Sequence, residues 1–169
     1  MRFLADRLVA VQPGYVREVD VADLDHPAGD EPQYIEWAVS AVAGSEDLRL
    51  LALGPDGMVI RATDGQRGLW MDDPLADAQA VSVAGGVAYV EDEGGINQVR
   101  AFDIRRPEDP RALSGLPRSV AHECVAASDD RLVIADTEQT VWAFDVSRLL
   151  EGWKPRMEAL GSLRLDEPI

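Results

Sequence analysis

Val141-Trp142-Ala143-Phe144-Asp145-Val146 is written more than once in this chain. A near copy is Val99-Arg100-Ala101-Phe102-Asp103-Ile104, a looser one is Val16-Arg17-Glu18-Val19-Asp20-Val21, and a poorer one is Ile60-Arg61-Ala62-Thr63-Asp64-Gly65. Asp20, Asp64, Asp103 and Asp145 therefore recur about every 40 residues. In the best copy both faces of the strand are apolar, with Val99 and Ala101 on one and Phe102 and Ile104 on the other. A strand buried on both faces needs a sheet packed against each of them.

Working outward, the unit around Phe102 is the best formed. Ala80 to Ala84 alternates as a strand, Gly85-Gly86 turns, and Val87 to Val90 returns. Asp92 to Asn97 turns again before Gln98 to Ile104, and Arg111 to Leu116 is a weaker fourth strand. The unit around Phe144 follows the same plan: Ser119 to Ala126, Leu132 to Ala135, Thr140 to Val146, a short helical turn over Ser147 to Trp153, and Arg156 to Leu160 outermost. Around Asp64, Tyr34 to Val42 is read as a strand rather than a helix, because Ile35, Trp37 and Val39 alternate. Leu48 to Leu53 follows, then the hairpin turn Gly54-Pro55-Asp56-Gly57. Met58 to Thr63 returns, and Gly68 to Met71 is an outer strand. Around Asp20, Met1 to Leu4 leaves little room for an innermost strand, and Asp23 to Gln33 is a loop with room for a weak outer one.

These spacings predict one all-β domain over residues 1–169, with repeats over approximately 1–33, 34–78, 79–118 and 119–161. Four antiparallel strands per repeat at this period are the pattern of a β-propeller. Closed propellers have about four to eight blades. Four repeats therefore make either a closed ring or a partial one that a second copy or a longer chain completes. Residues 162–165 could supply the missing innermost strand from the other terminus.

Gly86 to Asp92, Val99 to Ile104 and Pro107-Glu108-Asp109-Pro110 resemble one unit of the bacterial LVIVD-type propeller repeats. Leu132-Val133-Ile134-Ala135-Asp136 with Phe144-Asp145-Val146 resembles a second. The resemblance is close over 79–147, weaker over 34–73 and partial over 1–30. Thr63 stands where it puts an aromatic residue, and Leu149 to Trp153 where it puts a proline turn. It implies a propeller in a cytoplasmic or cell-envelope setting. It implies no catalytic residues, since the shared positions are core and turn positions.

Formal net charge is −15, from 31 acidic and 16 basic residues. Such a surface repels phosphate backbones and anionic lipid heads, which argues against nucleic acid and membrane partners. It suits solubility, and it suits steering toward a basic protein. Asp6 and Arg7 interrupt the short N-terminal apolar run, so no signal peptide is read there. The single cysteine, Cys124, excludes an internal disulfide, and a reduced cytoplasm is the expected compartment.

The chemistry-bearing residues form no familiar constellation. His122 and Cys124 sit at i,i+2 and could chelate together from one strand face. His26 lies apart in an acidic loop, so no second pair exists and no metal site is assigned. The acid clusters Glu91-Asp92-Glu93, Asp72-Asp73 and Asp129-Asp130 lack the ligand spacing of a calcium loop and are read as solvated turns. Gly85-Gly86 and Gly94-Gly95 precede no helix and are no phosphate loop. Asp20, Asp64, Asp103 and Asp145 are read as turn residues accepting backbone N–H bonds, and Phe102 and Phe144 as repeated core positions. Trp37, Trp70, Trp142 and Trp153 are weak interaction candidates. No catalytic residue and no cofactor is assigned. The leading expectation is a non-catalytic interaction or scaffold module with an acidic surface and a protein partner. One alternative is a metal-supported, hydrolase-type propeller enzyme. Another is part of a larger propeller without independent activity, or a homo-oligomer completing a ring.

Overall fold

The computed structural model describes the chain except residues 1, 5–6, 13–14, 24, 37, 45–47, 63–68, 72–76, 95–97, 118–121, 137, 152–157 and 166–169. Side chains at 2–4, 12, 62, 69–71, 114–117, 122–123 and 158 also lie outside the description. Its described elements are all strands. The first sheet holds β1 (Arg2–Leu4), β2 (Arg7–Gln12), β3 (Tyr15–Asp20), β4 (Ala28–Gly29) and β5 (Gln33–Tyr34), with β4 and β5 both pairing β3. The second holds β6 (Ala41–Gly44), β7 (Leu48–Ala52), β8 (Met58–Ala62) and β9 (Leu69–Met71). The third holds β10 (Ala78–Ala84), β11 (Val87–Asp92), β12 (Gln98–Asp103) and β13 (Arg111–Pro117). The fourth holds β14 (His122–Ala127), β15 (Arg131–Asp136), β16 (Thr140–Asp145) and β17 (Glu158–Arg164).

Every pairing described within these sheets is antiparallel, between strands that follow one another along the chain or nearly so. Glycine makes the tightest connections possible. Gly85 and Gly86 have φ of 56° and 76°, which closes β10 onto β11 in two residues with Ala84 opposite Val87. Gly54 and Gly57, at φ 61° and 83°, turn β7 into β8.

The sheets stack face to face, and neighbouring sheets meet along their first strands: β1 with β6, β6 with β10, and β10 with β14. Each contact encloses a separate apolar cluster. Val9 and Val16 meet Val42 and Leu51 between the first two sheets. Leu50, Met58 and Ile60 meet Val81, Val90 and Phe102 between the second and third. Tyr89, Val99 and Ala101 meet Leu132, Ile134 and Phe144 between the third and fourth. Burying such residues is worth about 1.5–3 kcal/mol for each large side chain, so the seams hold the blades together. Among the described residues no comparable contact returns from β14 to β1. As described, the sheets form an open arc.

Three expectations are corrected. Residues 162–165 do not close a ring from the far terminus; 162–164 belong to β17, outermost in its own sheet and paired with β16, and the Leu165 N–H donates to the Gln139 carbonyl. The described residues of 35–40 are not in a strand: β5 ends at Tyr34 and β6 begins at Ala41. Ile35 and Val39 instead fill the seam between the first two sheets, so their alternation reports burial rather than a ladder. Ser147 to Glu151 is a succession of turns, with Leu149 N–H donating to the Val146 carbonyl, and not a helix.

Candidate interaction surfaces

The recurring aspartates sit where the third strand of a sheet ends. Asp20 accepts the backbone N–H of Ala22 at 3.0 Å, Asp103 that of Arg105 at 3.1 Å, and Asp145 that of Ser147 at 2.9 Å. Each is the same two-residue turn held by a carboxylate. Arg105 also grips Asp103 through both carboxylate oxygens, at 2.9 and 2.6 Å, and this holds the Asp103 carboxyl below the usual range. The Ser147 hydroxyl and N–H lower Asp145 in the same sense. Asp64 lies outside the described residues. Phe102 and Phe144 are both buried, each in its own seam.

Two further carboxylates, to which the sequence reading gave no structural role, do more. Asp92 and Asp136 end the second strands of their sheets and are 1% and 2% exposed. Asp92 accepts from the N–H groups of Asp77 and Gly94, with the Arg100 guanidinium at 3.5 Å. Asp136 accepts from the N–H groups of Glu138 and Thr140 and from the Trp142 indole at 2.8 Å. Glu91 and Asp92 are thus buried, contrary to their reading as solvated; Asp129 and Asp130 are exposed, and Asp72-Asp73 lie outside the described residues. The legible signal was the matched ends of Val87 to Asp92 and Arg131 to Asp136.

Trp142 is therefore turned into the seam with the third sheet, packed beside the cluster around Ile134. Trp37 and Trp153 lie outside the described residues, and Trp70 is placed only by its register opposite Val59. Cys124 is exposed. The ladder shifts register between His122 and Cys124, so simple alternation does not carry from one to the other. Among the described residues no three His, Cys, Asp or Glu side chains gather as a metal cluster would.

The open features lie elsewhere. Asp103, Arg105, Arg106, Asp109 and Arg111 line an open concavity of about 450 Å³ beside the turn between β12 and β13. Arg105 and Arg111 are paired there with Asp103 and Asp109, which spends most of its positive charge. The two end faces of the arc are open as well. On the fourth sheet, the face turned from its neighbour carries Ala126, Val133, Val141, Ala143 and Leu163. Val133 is 38% exposed and Leu163 is 64%. On the first sheet, the corresponding outward face carries Leu8, Ala10, Val19, Tyr15 and Tyr34. The two tyrosine rings meet edge to face, centroids 5.6 Å apart, and Tyr34 is 68% exposed. The sequence reading placed Tyr34 at the start of the first strand of the second repeat; it instead pairs with Tyr15 in the first sheet.

No protein-family model matches the chain, and no curated protein matches it. Solved structures do match. Kluyveromyces lactis Hsv2 is 12% identical with a TM-score of 0.69 over 98% of this chain and 57% of its own. The WD40 repeats of RRP9 are 13% identical, TM-score 0.74, over 95% and 51%. BamB from Moraxella catarrhalis is 11% identical, TM-score 0.63, over 95% and 47%. At such identities the likeness is one of fold: this chain is an all-β protein of propeller-like blades, and it spans about half the length of the propellers it matches.

Proposed function

We propose that the chain is a non-catalytic interaction module: an arc of rigid blades that holds other protein surfaces against its end faces and rim. The observation that carries this reading is the apolar outer face of the fourth sheet, where Val133 and Leu163 stand in water. Contiguous exposed apolar surface on a folded domain is a docking surface or a liability. In finer detail, a basic protein is the partner of the acidic rim, the compartment is cytoplasmic, and nucleic acid and membranes are not bound. The net charge of −15 supports the first and last of these. That the chain spans about half of the propellers it resembles favours a second reading, in which it acts as one sector of a larger ring.

The test is capture of partners on the immobilised chain at low salt, repeated with a variant in which Asp129, Asp130, Glu108 and Asp109 are changed to their amides. Basic proteins retained by the parent chain, lost from the variant and eluted by about 0.5 M salt are expected. Retention indifferent to both charge and salt would overturn the basic-partner reading.

A further inference from the structure

We infer that the outer face of the fourth sheet takes the outer face of the first sheet from a second copy of this chain, so that two arcs close one eight-bladed ring. The inference rests on reading the end faces as docking surfaces and names their occupant.

The third and fourth sheets are in register through their aspartates, since Val87 pairs Asp103 as Arg131 pairs Asp145. Tyr89, Val99 and Ala101 of the third sheet therefore correspond to Val133, Val141 and Ala143 of the fourth. The former lie under the fourth sheet and are 2%, 0% and 1% exposed; the latter are exposed or only partly buried, and among the described residues no further sheet packs over them. The first sheet shows the converse. Its Leu8 and Val19 correspond to Ala88 and Phe102, which the second sheet covers, yet Leu8 and Val19 remain partly open. Every inner seam joins the one kind of face to the other. The arc ends with one of each, and a second copy carries both.

Charge supports the choice. The chain is at −15, but few acids stand among the described side chains of its end faces. Of the described side chains named there by register, Arg17 is charged on the first sheet, and Arg131 with Asp145, 3.6 Å apart, on the fourth. A basic protein finds little to pair with among the described side chains of these faces, whereas another blade does. Tyrosine and arginine, which the first face presents, are the residues that anchor protein interfaces. Two arcs of four sheets also give a blade number within the closed range of about four to eight. The contacts run head to tail, and two suffice for closure.

Sedimentation across a concentration series tests this with the full chain and three variants: Val133→Arg and Leu163→Glu on the fourth sheet, and Val19→Arg on the first. The expected result is a species of twice the 18.4 kDa chain. Each substitution weakens it by at least about tenfold while the circular dichroism of the monomer is kept. Mixing Val133→Arg with Val19→Arg restores a dimer, because one intact head-to-tail contact remains. Failure of the mixture to pair overturns the head-to-tail arrangement, and species that lengthen with concentration overturn the closed ring. Monomer alone overturns the second copy. In that event an apolar dye separates the two readings: binding that Val133→Arg abolishes keeps the docking face, and no binding removes it as well.

Discussion

Asp92 and Asp136 hold equivalent places, but a guanidinium closes one and an indole the other. The sequence shows Trp142 where the preceding unit has Arg100, an exchange compatible with a side chain pointing outward or into a blade interface. It is an exchange of donors to a buried carboxylate, invisible until the carboxylate is known to be buried. Trp142→Phe removes that donor while keeping an aromatic ring, and should cost about 1–3 kcal/mol in urea unfolding. A loss below a few tenths would mean that the indole bond contributes nothing. Tyr89 offers a check by titration. Burial, with the Asp129 charge adding to it, pushes its phenol up to about 12. A raised phenol favours the neutral, folded form. Its stabilising share is therefore whole below the unfolded value near 10 and drains away as pH rises toward about 12. Tyr89→Phe should move alkaline unfolding to higher pH, followed by circular dichroism; an unmoved midpoint would place the sensitivity in another group.

At the scale of the sheets, the legible part was the period and its punctuation. Asp20, Asp103 and Asp145 end third strands, and Gly85-Gly86 makes the two-residue turn, because both depend on local backbone chemistry. What could not be read was which apolar residues face another sheet. Ile35 and Val39 alternate like a strand yet fill a seam from a connecting segment, and Val133 is as apolar as buried Ile134 while standing in water. Composition records what a face could pack against, not whether anything is there. The Glu18–Arg49 pair belongs to the same class. It crosses from the first sheet to the second at 2.8 and 3.0 Å, with Arg49 only 7% exposed. Glu18→Gln removes the counter-charge of a nearly buried guanidinium and should cost about 1–3 kcal/mol. Because stacked repeats hold mainly to their neighbours, the loss should fall on the first sheet. Hydrogen exchange should quicken in β2 and β3 and hardly change in β15 and β16; uniform quickening would mean that the arc unfolds as one unit.

For the whole molecule, charge and shape pull in opposite directions. Two copies at −15 each repel as they approach, while their end faces gain by leaving water. Salt shortens the reach of that repulsion from about 10 Å at 0.1 M to about 3 Å at 1 M and leaves the apolar gain in place. Self-association through the end faces should therefore tighten as sodium chloride rises. The basic partner proposed above, held by charge attraction, should weaken over the same range. The opposite signs allow both contacts to be read in one experiment, by sedimentation of the chain alone and with a captured partner at about 0.02 M and 0.5 M salt. If the copies part as salt is added, attraction between charges rather than apolar burial joins them, and the sheet faces are not the contact.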